Sequence, residues 1–227
     1  MTSLGLVVGI GPAASIYYYR ELARAFNAFS KKPSFVLAHA DIGTLRGYLA
    51  AGDSIGLAEY LALFIRRLAG AGCDVAAISA TTAHLCLPQL SRISPLPIVS
   101  LLDSARNGLM SLGLRRVALF GTRQTVESDL FGALRALDVV RPRPCEITKI
   151  AEIYAGAVDK FGAGEDDLAA LTSIAHQLIR GDGIEAVVIA GTDFSGAFKI
   201  HPPDYPYIDV SDLHIEAICQ HLAASIA

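Results

Sequence analysis

The chain predicts an α/β fold of two similar lobes, each a four-stranded parallel sheet flanked by helices. Three observations carry this. Short β-branched runs alternate with longer helical patterns, the order produced by parallel strands joined through helices. Several of the runs, such as Glu185-Ala-Val-Val-Ile-Ala190, are apolar nearly throughout, as in strands covered on both faces. The whole pattern also superimposes on itself after a shift of about 110 positions.

The candidate strands are 3–9, 34–40, 74–80, 97–101, 115–121, 145–150, 185–190 and 206–210, and the shift lays the first four in order on the last four. Between them, Leu57, Leu61, Phe64 and Leu68 fall on one helical face, as do Leu168, Leu171, Ile174 and Leu178. Pro12 suits a first helical turn, Gly181 a helix stop and Ser211 an N-cap. The lobes are therefore expected at 1–101 and 102–210; the closing helix, 211–227, is open to either and is grouped with the first. A closed eight-stranded barrel supplies the same strand count but needs more chain than 227 residues usually give, so it ranks second.

Composition excludes several classes. A hydrophobic content of 52% suits a compact globular core. The net charge is −3 and the densest late basic stretch is Arg141-Pro-Arg143, which argues against a nucleic-acid surface. No apolar run approaches the roughly 18 residues of a membrane span. The start has no cationic region, so no signal peptide is expected and the assignment is cytoplasmic. Cys73, Cys86, Cys145 and Cys219 share no C-x-x-C or metal spacing and read as structural thiols. No metal is expected.

Open parallel sheets bind ligands beyond the carboxyl ends of their strands. Two lobes facing each other would enclose a ligand cleft lined by Gly9-Ile10-Gly11, Ala80-Thr81-Thr82, Gly121-Thr122 and Gly191-Thr192. Hydroxyls and backbone N–H groups at helix starts suit a carboxylate. His84 and Asp193 are the candidate proton-handling groups, set against a helix-start histidine bonding to backbone and an aspartate that only caps. Thr81, Thr82, Thr122 and Thr192 are candidate carboxylate ligands, set against local turn partners. His39 and Asp41 end the second strand on the same side, and Tyr17, Tyr18 and Tyr19 read as helix packing. Gly9-x-Gly11-x-x-Ala14 fits the loose dinucleotide fingerprint, but Asp41 follows some 32 residues on instead of about 20. No nicotinamide, or any other cofactor, is expected.

At these turns the chain resembles the cofactor-independent aspartate/glutamate racemases. Gly9-Ile10-Gly11-Pro12-Ala13-Ala14-Ser15 is similar to that family's opening turn and Ala80-Thr81-Thr82-Ala83-His84 to its Cys-Asn-Thr-Ala-His motif. Val117 to Ser128 is similar to its central strand and turn. Ala190-Gly191-Thr192-Asp193 is similar to its Gly-Cys-Thr-Glu motif, and Tyr207-Ile-Asp-Val-Ser-Asp-Leu-His214 to its C-terminal strand and helix. The family works without pyridoxal phosphate: one cysteine thiolate removes the α-proton and an opposite thiol returns one. Its two cysteine positions fall on Ala80 and Gly191, 111 positions apart, and neither can move a proton.

The resemblance therefore implies amino-acid chemistry beside a carboxylate, by an isomerase or a lyase (decarboxylase) route other than two-cysteine racemisation. His84 and Asp193 would be catalytic. Gly11, Thr81, Thr82, Thr122, Gly191 and Thr192 would bind substrate, with Arg46 or Lys160 meeting a distal carboxylate. The alternative is a non-catalytic binder of an amino acid or small carboxylate. The implied partners are that ligand and a second copy in a homodimer, with neither nucleic acid nor membrane.

Overall fold

In the computed structural model the chain is described over residues 2–29 and 32–226 and divides into two compact units, 1–101 with 214–227, and 102–213. The first unit is built on strands β1 (Ser3–Val8), β2 (Ser34–His39) and β3 (Val75–Ile78), all parallel in the order β2-β1-β3. Helices α1 (Pro12–Phe26), α2 (Ile42–Ala51) and α3 (Ser54–Gly70) connect them. The second is built on β4 (Arg116–Phe120), β5 (Asp138–Val139), β6 (Ala186–Ile189) and β7 (Tyr207–Asp209), parallel in the order β5-β4-β6-β7. Two separate sheets replace the barrel that ranked second.

Two strands differ from expectation. The segment 97–101 makes one parallel bridge, Ala76 to Ile98, with Ala76 N–H donating to Pro97 O and Val99 N–H to Ala76 O, both at 2.9 Å. Pro95 and Pro97 cannot donate to a ladder, which leaves a three-stranded sheet with a single bridge in the fourth place. The segment 145–150 is no strand at all but the start of a helix, Pro144–Asp159. Pro144 is preset for the first helical turn, and Glu146 takes the Arg143 backbone N–H at 2.8 Å. The strand that was expected there lies earlier, at β5. With that correction, both sheets share one order of strands, as the shift of about 110 residues requires.

The remaining helices are α4 (Leu87–Ile93), α5 (Leu101–Ser111), α6 (Arg123–Glu127), α7 (the Pro144–Asp159 helix), α8 (Glu165–Gln177), α9 (Ser195–Ile200) and α10 (Val210–Ile226). The α3 stripe Leu57, Leu61, Phe64 and Leu68 is buried as its spacing predicts. On α8, Leu171 and Ile174 are buried, but the chain winds on to Asp182 and stops at the left-handed Gly183, φ 67°, two residues past Gly181. In the first unit Tyr17, Tyr18, Leu22 and Phe26 of α1 share a core with Ile215, Ile218 and Leu222 of α10. Among the described residues no helix is long and apolar enough to cross a membrane.

Candidate functional site

In the first unit, β1 ends in a turn that tolerates little change. Gly9 sits at φ +91°, and a Cβ there would lie 2.4 Å from Ala40 O and 2.5 Å from the His39 ring. Gly9 N–H donates to Ser15 Oγ at 2.9 Å, and that hydroxyl donates to Gly11 O at 2.6 Å. Gly11 then caps α1 with an extended backbone. Gly9→Ala is expected to lose at least ~2 kcal/mol in urea unfolding at unchanged m-value, from positive φ plus overlap with backbone.

The turn after β3 places Ala80 and Thr81 in buried positions and Thr82 half-buried. His84 is 1% exposed. Its Nδ1 lies 2.9 Å from Ala80 O and its Nε2 takes the Leu101 backbone N–H at 3.2 Å. A backbone N–H only donates, so Nε2 is the bare nitrogen and Nδ1 carries the proton to the carbonyl. Both His84 nitrogens are thus committed to main chain.

A second buried imidazole, His214, meets it edge to face at 5.9 Å. His214 donates through Nε2 to Val99 O at 2.9 Å and accepts the Tyr18 hydroxyl at Nδ1, also at 2.9 Å. Burial, reinforced by the neighbouring His84, pushes His214 down to about 3. Together the two rings pin 99–101, the segment that lacks a full ladder. Arg46 is exposed on α2, and Asp41 caps that helix through Thr44 N–H at 2.6 Å.

In the second unit, Thr122 caps α6, accepting the Thr125 N–H at 3.1 Å with the two hydroxyls 2.7 Å apart. Beyond β6, Gly191 and Thr192 are buried, and Asp193 is 2% exposed. Asp193 does not cap the short turn it heads. Its Oδ2 accepts the hydroxyl of Tyr154, from α7, at 3.1 Å. The Tyr154 ring packs edge to face on Phe194, centroids 5.0 Å apart. Burial, and then the charge of Asp193, holds the phenol well above its usual value, so it stays protonated. Thr192 Oγ1 lies close enough to favour the ionised phenol slightly, yet it is buried with no well-formed hydrogen bond among the described residues.

The end of β7 adds a group that the sequence reading did not single out. Asp209 is 4% exposed; Oδ1 accepts Ser211 N–H at 2.7 Å and Ser195 Oγ at 3.0 Å, while Oδ2 has no hydrogen-bond partner among the described residues. Burial and the nearby Asp212 push it up to about 7. Asp209, instead of Ser211, thus caps the closing helix. Lys160 is exposed at the C-cap of α7, roughly 9 Å along the axis from Tyr154.

Cys86 is fully buried, donates to Ala83 O at 3.3 Å, and is pushed up to about 12 by burial. Cys73 is buried, whereas Cys145 is exposed on α7. Among the described residues no three His, Cys, Asp or Glu side chains gather as a metal site. Residues 145–150 read as a strand, which hides the helical face that Tyr154 belongs to. The period Ile147, Ile150, Tyr154, Ala157 was the available signal.

The family model for Asp/Glu/hydantoin racemases matches residues 7–218. Solved structures share the fold. A candidate Asp/Glu racemase from Yersinia pestis superimposes with a TM-score of 0.83 at 20% identity, covering 98% of this chain and 100% of its own. An aspartate racemase homologue from Pyrococcus horikoshii gives 0.79 at 22% identity, covering 99% of this chain and 100% of its own. More distantly, a double mutant of arylmalonate decarboxylase in its liganded form gives 0.60 at 16% identity, covering 100% and 94%.

Proposed function

Because the chain belongs to the Asp/Glu/hydantoin racemase family, we propose that it is an enzyme acting next to the carboxylate of a small amino acid or dicarboxylic acid, by a route other than two-cysteine racemisation. One observation carries the reading: the two positions that the motif resemblance assigns to the family cysteines hold a methyl group, at Ala80, and a hydrogen, at Gly191. Racemisation by two thiols needs an acid and a base on opposite faces of one carbon, and neither residue offers either.

A single proton-handling group suffices for a lyase. The bond between the α-carbon and a carboxylate breaks, carbon dioxide leaves with no electrons, and the enediolate that keeps the pair takes one proton. Similarity to arylmalonate decarboxylase lends weight to that direction. Asp193 with Tyr154 is the proposed proton-handling pair. Thr192 is the proposed carboxylate donor, since its buried hydroxyl makes no well-formed hydrogen bond among the described residues. In the second unit the Gly191 backbone is proposed to bind carboxylate oxygens, with Thr122 holding its turn; in the first unit Thr81, Thr82 and the Gly11 backbone are proposed carboxylate ligands, with His84 holding its turn. No cofactor is required.

A second reading, a non-catalytic carboxylate binder, is favoured by two observations. His84 spends both nitrogens on backbone, and Asp193 already accepts from Tyr154.

The two readings separate in D2O. Aspartate, glutamate and α-substituted malonates are incubated with the protein and followed by NMR at the α-carbon. The enzyme reading expects deuterium incorporation, falling roughly 100-fold or more in Asp193→Asn. Calorimetric binding with no incorporation for any acid would establish the binder and sink the enzyme.

A further inference from the structure

We infer that the Tyr154 ring occupies the side-chain space of position 191, and so decides what the second unit's turn can hold and which acids it accepts. Gly191 has φ −96° and ψ 104°, extended backbone open to any residue. Conformation therefore does not require glycine here. What requires it is contact: a Cβ would lie 2.3 Å from Tyr154 Cε2 and 2.6 Å from Cδ2, with Gly121 Cα at 3.0 Å.

The ring cannot step aside cheaply. It is buried, packed edge to face on Phe194, and tied through its hydroxyl to Asp193. Gly121 in turn approaches the Gly191 backbone closely, a Cβ there meeting Gly191 N at 3.0 Å. An aromatic wall thus stands where any side chain at 191, the position the family resemblance gives to a cysteine, would project. A side chain at 191 and a tyrosine at 154 exclude each other.

The ligand half of the inference rests on the proposed function. If the turn binds a carboxylate through Thr192, the ring beside it limits the α-substituent. Acids with a hydrogen or methyl there are accepted, and those with a phenyl group are refused.

The test has two arms. In the first, Gly191→Ala, Tyr154→Ala and the double variant are melted. Gly191→Ala is expected to lower Tm by about 5 °C or more, through overpacking. In the Tyr154→Ala background the same change should cost less than half as much, the remainder coming from Gly121. Equal cost in both backgrounds, or no cost in either, overturns the inference. Tyr154→Leu replaces Tyr154→Ala if the latter does not fold.

In the second arm, malonate, methylmalonate and phenylmalonate are titrated calorimetrically into wild type, Tyr154→Phe and Tyr154→Ala. Tyr154→Ala should shift the phenyl-to-methyl affinity ratio at least tenfold toward phenyl, while Tyr154→Phe, which keeps the ring, should leave it near wild type. An unchanged ratio in Tyr154→Ala overturns the wall and leaves the proposed function intact. No binding by any acid to any form counts against the proposed function, and the melting arm still decides the steric exclusion.

Discussion

Acidification from pH 7 to pH 3 is expected to remove about 4 kcal/mol of the advantage that wild type holds over His214→Gln. The imidazole ionises at about 3 when folded, against an ordinary value of 6.5, because it is buried beside His84. Between those values the unfolded chain binds the extra proton, so stability rises with pH. The contribution is fully present above pH 6.5 and is lost as pH falls toward 3, at 1.36 kcal/mol for each unit of displacement. Urea unfolding of both proteins at pH 7, 5 and 3, followed by circular dichroism, reads the difference. A gap between the two that stays constant across this range would mean that His214 charges in the folded state at little cost.

The second large effect has the opposite sign. Asp209 ionises at about 7 when folded, against an ordinary 3.8, because of burial and the charge of Asp212. Its folded form holds the proton more tightly than the unfolded chain does. The stability so gained is complete below pH 3.8 and is lost as pH rises through 7, on the order of 4 kcal/mol between pH 4 and pH 8. Asp209→Asn mimics the protonated carboxyl, with its amide at Oδ2, which has no hydrogen-bond partner among the described residues. The variant should match wild type near pH 4 and exceed it by roughly that amount at pH 8. Wild type holding its stability up to pH 8 as well as the variant does would show that water or a cation reaches Oδ2.

The two effects oppose each other between pH 4 and pH 6.5, so a single wild-type profile would look flat there. Only the differences between variants isolate them. They also lie in different units, His214 with α1 in the first and Asp209 with Ser195 in the second. Their energies are therefore expected to add in the double variant.

Much of the architecture was legible without coordinates. The apolar strand runs, the stripe on α3 and the shift of about 110 residues fixed two parallel sheets of one repeated order, because burial on both faces leaves a periodic mark on the chain. The motifs around Ala80 and Gly191 likewise identified the family, which the match over residues 7–218 supports. The resemblance of those motifs also implies that the family's two cysteine positions fall on Ala80 and Gly191.

Side-chain partnerships were another matter. The bond to Ala80, four residues before His84, fits the helix-start reading, but nothing near His84 announces that the Leu101 N–H, 17 positions on, takes its other nitrogen. Tyr154 is 37 positions from Gly191, yet its ring fills the space a side chain there would need. Asp209 becomes unusual through burial, with the charge of Asp212 nearby. Sequence determined which residues stand at the strand ends; tertiary packing decided which of them still have an unspent proton, lone pair or open volume. Pattern follows from local geometry that repeats along the chain, whereas desolvation and steric exclusion arise only when distant segments meet.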